Sequence, residues 1–392
     1  MEQRTSSALQ LTAVTGGSGY LGQAVTRRLL ELGVPTRIID TKVPSSDLEG
    51  AKFVRCDIRE PASVAGALQG VQTVIHLAGL IDIRRCYHPT ASREVNVQGT
   101  ANVLRASRGA GVKRMVYVST SNVLMEEKEC LDIDEETVPP CPCNEYSRTK
   151  LEAEAQVLAE VAREDGLLVT VLRPPWIWGP GESNFWVVAD NPLPLAVRTG
   201  YCNGIYLRNA ANVLVHAASQ LRDRKSPSHG QALFIKDPTS KSSNGLLHCQ
   251  LLYRCKVAGR SVPESFDIPF SVLLWAAWLT DLFCSIVWLV FRVHLQRGDG
   301  FTQYAIWAGF GHHTFCDRRA REVLGQWPEV SMGQAIQETR SHYFAGDADA
   351  VKSTLCLGVQ GVGGRLEGLP GTLKNPSFFL GFEGFLIYDF FT

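Results

Sequence analysis

Four glycines fall within seven residues of "TAVTGGSGYLGQAV", residues 12–25: Gly16, Gly17, Gly19 and Gly22. The run before them, "LQLTAVTG", is apolar. The run after them, "YLGQAVTRRLLELG", carries Leu21, Val25, Leu29 and Leu30 at helical spacing and ends at Gly33. A glycine-rich turn between a strand and a helix is needed where the backbone bends tightly and must approach an anion at the helix N-terminus. Two fingerprints overlap in it. Gly17, Gly19 and Gly22 spell G-x-G-x-x-G, whereas Gly16, Gly19 and Gly22 spell G-x-x-G-x-x-G. Both place a diphosphate against the helix, and the glycines alone do not choose between them.

The pattern continues as strand and helix in alternation. "TRIID", "KFVRCD", "QTVIHLAG", "KRMVYVST" and "LLVTVLRP" are short apolar strands. "ASVAGALQG", "EVNVQGTANVLRAS" and "YSRTKLEAEAQVLAEVAR" are helical. Such alternation predicts an α/β Rossmann fold, a doubly wound parallel sheet with right-handed crossovers, over residues 10–181. A smaller C-terminal substrate region is expected over 182–346. A further strand and helix are expected within "GIYLRNAANVLVHAASQLR"; residues 222–245 are polar, with "RDRKSPSH" and "DPTSKSSNG" expected as exposed loops. The tail, 347–392, has many glycines and six phenylalanines without a period, and is expected to be irregular.

Charge and cysteine usage exclude several classes. The 39 basic and 39 acidic residues balance, so no broad nucleic-acid surface is expected. The 11 cysteines lack paired zinc spacing. Cys141 and Cys143 are too close together, and His312 and His313 are adjacent, so no metal is predicted and the thiols are read as reduced. "MEQRTSSALQ" has no apolar core of a secretory signal.

Asp40 ends "RIID", about twenty residues beyond the glycines, where a carboxylate binds both ribose hydroxyls of NAD and repels the 2′-phosphate of NADP. Lys42 stands two residues on. Tyr146 and Lys150 form Y-x-x-x-K on one helix face. An ammonium beside a phenol favours the phenolate, so the Tyr146 pKa is expected to fall toward the range of a general base.

These residues, with Thr15-Gly16, Gly19, Gly22, "CDI", "HLAG", "EVNVQGT", "YVSTSNV", "YSRTK" and "LRPPWIWGPG", resemble the extended short-chain dehydrogenase/reductase family. Within it they are most similar to the 3β-hydroxysteroid dehydrogenase and sterol-4-carboxylate dehydrogenase branch. The resemblance makes Gly16, Gly19 and Gly22 the working set and Gly17 a permitted small residue. It implies Tyr146 as acid/base, Lys150 as the residue binding the nicotinamide ribose, and Thr120 as the hydroxyl that meets the substrate oxygen, with Ser119 as nearest rival. Tyr20 and Leu21 at the helix start, Asp57 and Ile58 beside adenine, Ala78 and Gly79 beside sugar and phosphate, and Pro174 complete the implied NAD site. Asn96 admits two roles, in a proton relay or in tying the backbone. His76 is read as a core histidine; Trp176 and Trp178 suit either a pocket or the core. Arg208 stands where the family often has an acid, which leaves the substrate pocket open.

Residues 269–291, "PFSVLLWAAWLTDLFCSIVWLVF", have a single charge, Asp281. As a helix the segment is about 35 Å long, enough to span a bilayer core. Alternatively, Thr280 and Asp281 cap a second short helix that lies in the interface. Trp275, Trp278 and Trp288 suit an interface. The alternative to both is a buried helix of the substrate region. The resemblance favours the membrane, at the cytosolic face of the endoplasmic reticulum. The expected activity is NAD-dependent oxidation of the 3β-hydroxyl of a steroid or sterol, coupled to isomerisation or C4 decarboxylation, by a chain for which a homodimer is an allowed assembly. A sugar-nucleotide epimerase or dehydratase and a non-catalytic membrane sterol-binding protein are the rival readings.

Overall fold

The computed structural model describes residues 8–344 except 47, 82–88, 125–128, 137–141, 143, 183–194, 197–200, 239–256, 258–265, 292–302 and 328. The tail, Cys141 and Cys143 therefore lie outside the described residues. Seven strands form one parallel sheet: β1 (Thr12–Thr15), β2 (Thr36–Asp40), β3 (Ala51–Arg55), β4 (Thr73–His76), β5 (Arg114–Val118), β6 (Leu168–Arg173) and β7 (Gln231–Phe234), in the order β7-β6-β5-β4-β1-β2-β3. The chain winds outward from β1 to β3, then crosses back to place β4 on the other side of β1. Thr15 pairs with both Ile39 and His76. The backbone following β1 and β4 thus leaves the sheet at adjacent points, the switch where doubly wound sheets bind ligands.

Helices cover both faces because successive strand residues point oppositely. Val14, Ile75, Val116 and Leu172 are buried against α1 (Tyr20–Glu31) and α5 (Leu207–Gln220). Their neighbours Ala13, Val74, Met115, Tyr117 and Val171 are buried on the other side. There they meet α2 (Pro61–Ala67), α3 (Thr100–Gly109) and α4 (Glu145–Leu158). The helical "EVNVQGTANVLRAS" is wound more loosely at first: Glu94–Gly99 is a π turn leading into α3.

Residues 231–234, between the polar stretches read as exposed loops, form a strand that the sequence pattern does not mark. "QALF" pairs in parallel with β6, Leu233 against Leu172 and Phe234 against Arg173. The strand is short and set among polar residues, so its identity comes from the edge of β6 rather than from its own periodicity. The strand and helix expected in "GIYLRNAANVLVHAASQLR" are present as Gly204–Tyr206 and α5. Gly204–Tyr206 pairs with Trp176–Trp178.

Phe270–Phe291 is one continuous helix, α6, rather than two short ones. Its Phe270–Val287 stretch is long and apolar enough to cross a membrane by length and composition, with mean hydropathy 1.8 and 12% of it buried. The first half packs antiparallel on α7 (Gln303–Phe310): Leu273 and Ala277 meet Ile306 and Phe310, and the Phe270 and Trp307 rings lie edge to face at 4.9 Å. Asp281, rather than starting a helix of its own, accepts the Gln303 amide at 3.0 Å and so serves the N-terminus of α7. Trp275, Phe283 and Leu289 are 67%, 59% and 63% exposed. The side chain of Trp288 lies outside the described residues. Beyond α7, His313–Phe315 pairs with Cys130–Ile133, and α8 (Arg318–Leu324) and α9 (Met332–Phe344) follow.

Candidate active site

The glycine turn is built by contacts that no side chain would permit. Gly16 has φ +67°, and a Cβ on it would lie 2.7 Å from the Ala78 amide nitrogen across the switch. A Cβ on Gly22 would lie 2.1 Å from the Gly16 carbonyl oxygen, so α1 packs directly on the turn. Gly17 differs from expectation. A Cβ there would come within 2.9 Å of the Val14 oxygen and 3.0 Å of Ile38 Cγ2, so the position demands glycine rather than permitting it. Gly19 is the N-cap of α1 with extended backbone and no side-chain cap, and among the described residues the sole close neighbour of a Cβ there would be the Gly16 oxygen, at 3.2 Å. The N-terminus of α1 is therefore flanked by a cradle of glycine backbone, which fits a diphosphate.

Asp40 closes one end of that cradle. Its carboxylate accepts the Ser18 amide at 3.0 Å and the Lys42 amide at 3.2 Å. The Ser18 hydroxyl donates to the Lys42 carbonyl at 2.6 Å, so the turn and the β2 end are laced together. Asp57 follows β3 and is held by the Arg59 guanidinium at 2.6 Å, which keeps its carboxyl below the usual range. Ile58 packs against Gly99, where a Cβ would lie 2.5 Å from Ile58 Cδ1, and its carbonyl accepts Asn102 Nδ2 at 3.0 Å. Tyr20 reaches the 179–181 turn: a Cβ on Gly179 would lie 3.3 Å from its hydroxyl oxygen. Leu21 packs against the α1 core, and the Pro174 carbonyl accepts the Ser121 amide at 3.0 Å.

His76 is a core histidine, fully buried between Thr15 Oγ1 at 2.6 Å and Thr100 Oγ1 at 3.0 Å. Burial, aided by the Lys150 charge, pushes its pKa down to about 3, so the ring is neutral. Asn96 uses its whole side-chain amide to tie backbone and helix. Oδ1 accepts the Leu80 amide at 2.7 Å; Nδ2 donates to the Leu80 carbonyl and to Thr149 Oγ1, both at 3.0 Å. Thr149 in turn donates to the Tyr146 carbonyl at 2.9 Å. Gly79 lies at this junction, where a Cβ would meet Asn96 Oδ1 at 3.2 Å and Lys150 Nζ at 3.8 Å.

Tyr146 and Lys150 lie in the first turns of α4, which Asn144 caps by accepting the Ser147 amide at 2.7 Å. Both side chains are buried, and Thr120, just past the β5 end, is near enough to Tyr146 for its hydroxyl to favour the phenolate. Lys150 Nζ donates to the Val118 carbonyl at 2.6 Å and lies 4.3 Å from the centre of the Tyr117 ring. The expected lowering of the phenol is not what the geometry produces. Burial pushes Tyr146 up to about 12, against the lowering by Thr120, and pushes Lys150 down to about 7. Desolvation penalises both charged forms and outweighs what each would gain from the other. Ser119, the rival of Thr120, donates its amide to Leu172 O at 2.8 Å and has a buried hydroxyl.

One group beside Lys150 was not foreseen, and the partner of Arg208 was not either. Glu154, one turn past Lys150, forms a buried ion pair with Arg173 at the end of β6. Its only trace in the sequence is an acid four residues after the lysine. Arg208, in place of the family's acid, pairs with Glu338 at 2.6 Å, and Tyr206 donates to the same carboxylate at 2.7 Å. Among the described residues, no three His, Cys, Asp or Glu side chains group as a metal site.

Comparison with known proteins gives this arrangement a context. The chain matches the 3-beta hydroxysteroid dehydrogenase/isomerase family over residues 13–262. It is 31% identical over 342 residues to short-chain dehydrogenase/reductase family 42E member 1 of Danio rerio, spanning 81% of this chain and 84% of that protein. It is 34% identical over 239 residues to a 3-beta-hydroxysteroid dehydrogenase of Mycolicibacterium neoaurum, spanning 57% and 64% of the two chains. Among solved structures it shares its fold with gox2253, at TM-score 0.65 and 22% identity over 85% of this chain and 97% of that one. It also shares its fold with MoeE5 in complex with UDP-glucuronic acid and NAD, at TM-score 0.63 and 20% identity over 85% and 98%.

Proposed function

Since the chain belongs to the 3-beta hydroxysteroid dehydrogenase/isomerase family and is an NAD-dependent oxidoreductase, we propose that it oxidises the 3β-hydroxyl of a membrane-dissolved steroid or sterol to the 3-ketone. The observation that carries the reading is the meeting of Thr120, Tyr146 and Lys150 beside a glycine-backbone cradle for a diphosphate. Gly16, Gly19, Tyr20, Leu21 and Gly22 would hold the diphosphate end, Asp40 the adenosine ribose, and Asp57 and Ile58 the adenine. Ala78, Gly79, Lys150 and Pro174 would line the nicotinamide half. When bound, NAD would supply a hydride acceptor and a positively charged ring.

The chain's own residues then have distinct tasks. Thr120 holds the substrate oxygen and its hydroxyl lowers the Tyr146 pKa, in opposition to burial. Tyr146 Oη, as phenolate, takes the hydroxyl proton. Lys150 in its protonated form favours that phenolate, and its bond to Val118 O fixes where the charge sits. A neutral phenol with a pKa near 12 is a poor base at neutral pH, so proton removal depends on positive charge gathered at the site.

The α6–α7 hairpin supports a membrane setting. Aromatic and aliphatic side chains of α6 face away from α7, and Asp281, its one charge, is satisfied by the Gln303 amide rather than facing out unpaired. We place this hairpin in the cytosolic leaflet of the endoplasmic reticulum, where a lipid-soluble substrate would reach the site.

The test is to reconstitute the protein in lipid with NAD and follow absorbance at 340 nm. The panel contains 3β-hydroxysteroids, 4-carboxysterols and UDP-sugars. Reduction of NAD with a sterol, abolished in Tyr146→Phe with NADH affinity retained, is the expected result. Turnover of UDP-sugars alone, or a fully active Tyr146→Phe, would overturn the reading.

A further inference from the structure

Resting on the catalytic reading above, we propose that Glu154 and Arg173 are positioning residues. Their buried ion pair fixes the helix that carries Tyr146 and Lys150 against the strand end that holds Thr120.

The geometry on each side of the pair is specific. Glu154 lies one turn beyond Lys150 on α4 and is 2% exposed; Arg173, the last residue of β6, is 6% exposed. Arg173 Nε donates to Glu154 Oε2 at 3.2 Å and Nη2 donates to Oε1, a two-point fork. The guanidinium lies 5.5 Å from the centre of the Phe234 ring on β7, and that ring stacks on Phe315 at 4.8 Å. Arg173 is therefore held by β7 as well as by its own strand.

The residues on either side of Arg173 anchor the loop bearing Thr120. Leu172 O accepts the Ser119 amide at 2.8 Å, and Pro174 O accepts the Ser121 amide at 3.0 Å. Thr120 is thus suspended between two hydrogen bonds to the segment 172–174. The same segment reaches across to α4 through Arg173 and Glu154. One ion pair therefore connects the two backbones whose separation sets the distance from Thr120 to Tyr146.

The pair also has an electrostatic consequence. The titratable groups around Lys150 are Tyr146 and Glu154 on α4, Tyr117 on β5 and His76 on β4, with Arg173 behind Glu154 on β6. Of these, Glu154 is the group that favours the lysine cation against burial. Removing its charge while keeping its shape makes Lys150 lose its proton at lower pH.

The experiment compares full-length wild type, Glu154→Gln and Arg173→Lys in lipid. NADH is titrated by fluorescence across pH, and kcat and KM are measured for any substrate found. Glu154→Gln is expected to move the alkaline break in NADH affinity to lower pH and to cut kcat by about 10²-fold, the effect of a misplacement near 1 Å, with KM little changed. Arg173→Lys keeps both charges but loses the fork. It should reduce kcat while leaving the pH break in place, and it serves as the test if Glu154→Gln does not fold. An unmoved pH break and wild-type kcat in a folded Glu154→Gln, or a fully active Arg173→Lys, would overturn the inference. Wild-type protein that binds no NADH, or a fully active Tyr146→Phe, would instead defeat the catalytic reading beneath it.

Discussion

Alanine placed at each of four glycines should separate cofactor binding from stability. At Gly66, in α2, a new Cβ meets nothing within 4 Å among the described residues. Gly66→Ala should therefore be neutral or stabilising by up to about 1 kcal/mol, the helix-propensity difference. At Gly17 the contacts of 2.9 and 3.0 Å involve the backbone of β1 and the side chain of Ile38, so the strand itself must shift and the melting temperature should fall, by less than at Gly22. At Gly22 the new carbon would sit 2.1 Å from Gly16 O and 2.6 Å from Gly17 Cα, both backbone atoms. Relief there means moving α1 off the turn by roughly 1 Å, toward an ordinary contact. Overpacking of this kind costs roughly 1–3 kcal/mol, and cofactor affinity should fall with it because the helix N-terminus moves. Gly19→Ala is the informative case. Its backbone is extended with φ −74°, and its one close contact is 3.2 Å, so the fold should tolerate it. The added methyl, however, occupies the cradle, so NADH affinity should fall while the melting temperature holds. Thermal melts and NADH fluorescence titrations on the same samples read both quantities. Wild-type affinity in Gly19→Ala, or an unchanged melt and affinity in Gly22→Ala, would refute the cradle.

Asp40→Ala should weaken NAD and raise the relative use of NADP, checked by comparing the two cofactors in binding titrations; a wild type that already prefers NADP would refute the role given to Asp40. His76 has a depressed pKa of about 3 in the folded chain against 6.5 unfolded, so below pH 6.5 the unfolded state alone gains a proton and stability falls with pH. At pH 5 that loss is about 2 kcal/mol, which His76→Gln should lack when urea unfolding is compared at about pH 7.5 and about pH 5. Replacing Trp275, Phe283 and Leu289 together with serine should abolish flotation with lipid vesicles while leaving NADH binding intact, since all three side chains are exposed; loss of NADH binding would show that α6 belongs to the core.

What the sequence made legible is local in origin. The glycine turn, the alternating strands and helices, and Tyr146 with Lys150 are each defined within a window of a few residues, and the sheet and the site contain them. What escaped depends on distant partners. β7 is a strand because β6 offers an unpaired edge, Asp281 serves a helix that begins at Gln303, and Glu154 acquires meaning only when Arg173 arrives from the sheet. The direction of the Tyr146 shift escaped for a related reason: spacing shows that a lysine is near, but the depth of burial, which decides the sign, is a property of the folded whole.

The packing of α5 on α1 has a consequence for how the chain is made. Leu207, Ala210, Ala211 and Leu214 share a buried cluster with Val25 and Leu29, which lie far back in the sequence. During synthesis the first six strands can emerge with α2, α3 and α4 covering one face, while the other has α1 alone over it and lacks α5 until residues 207–234 leave the ribosome. At about 5–20 residues per second this interval lasts several seconds. Long-range closure of this type slows folding and leaves sheet edge and apolar surface available to other chains. Expression yield should therefore respond more to chaperone supply and translation speed over this interval than to mutations that weaken the glycine turn itself.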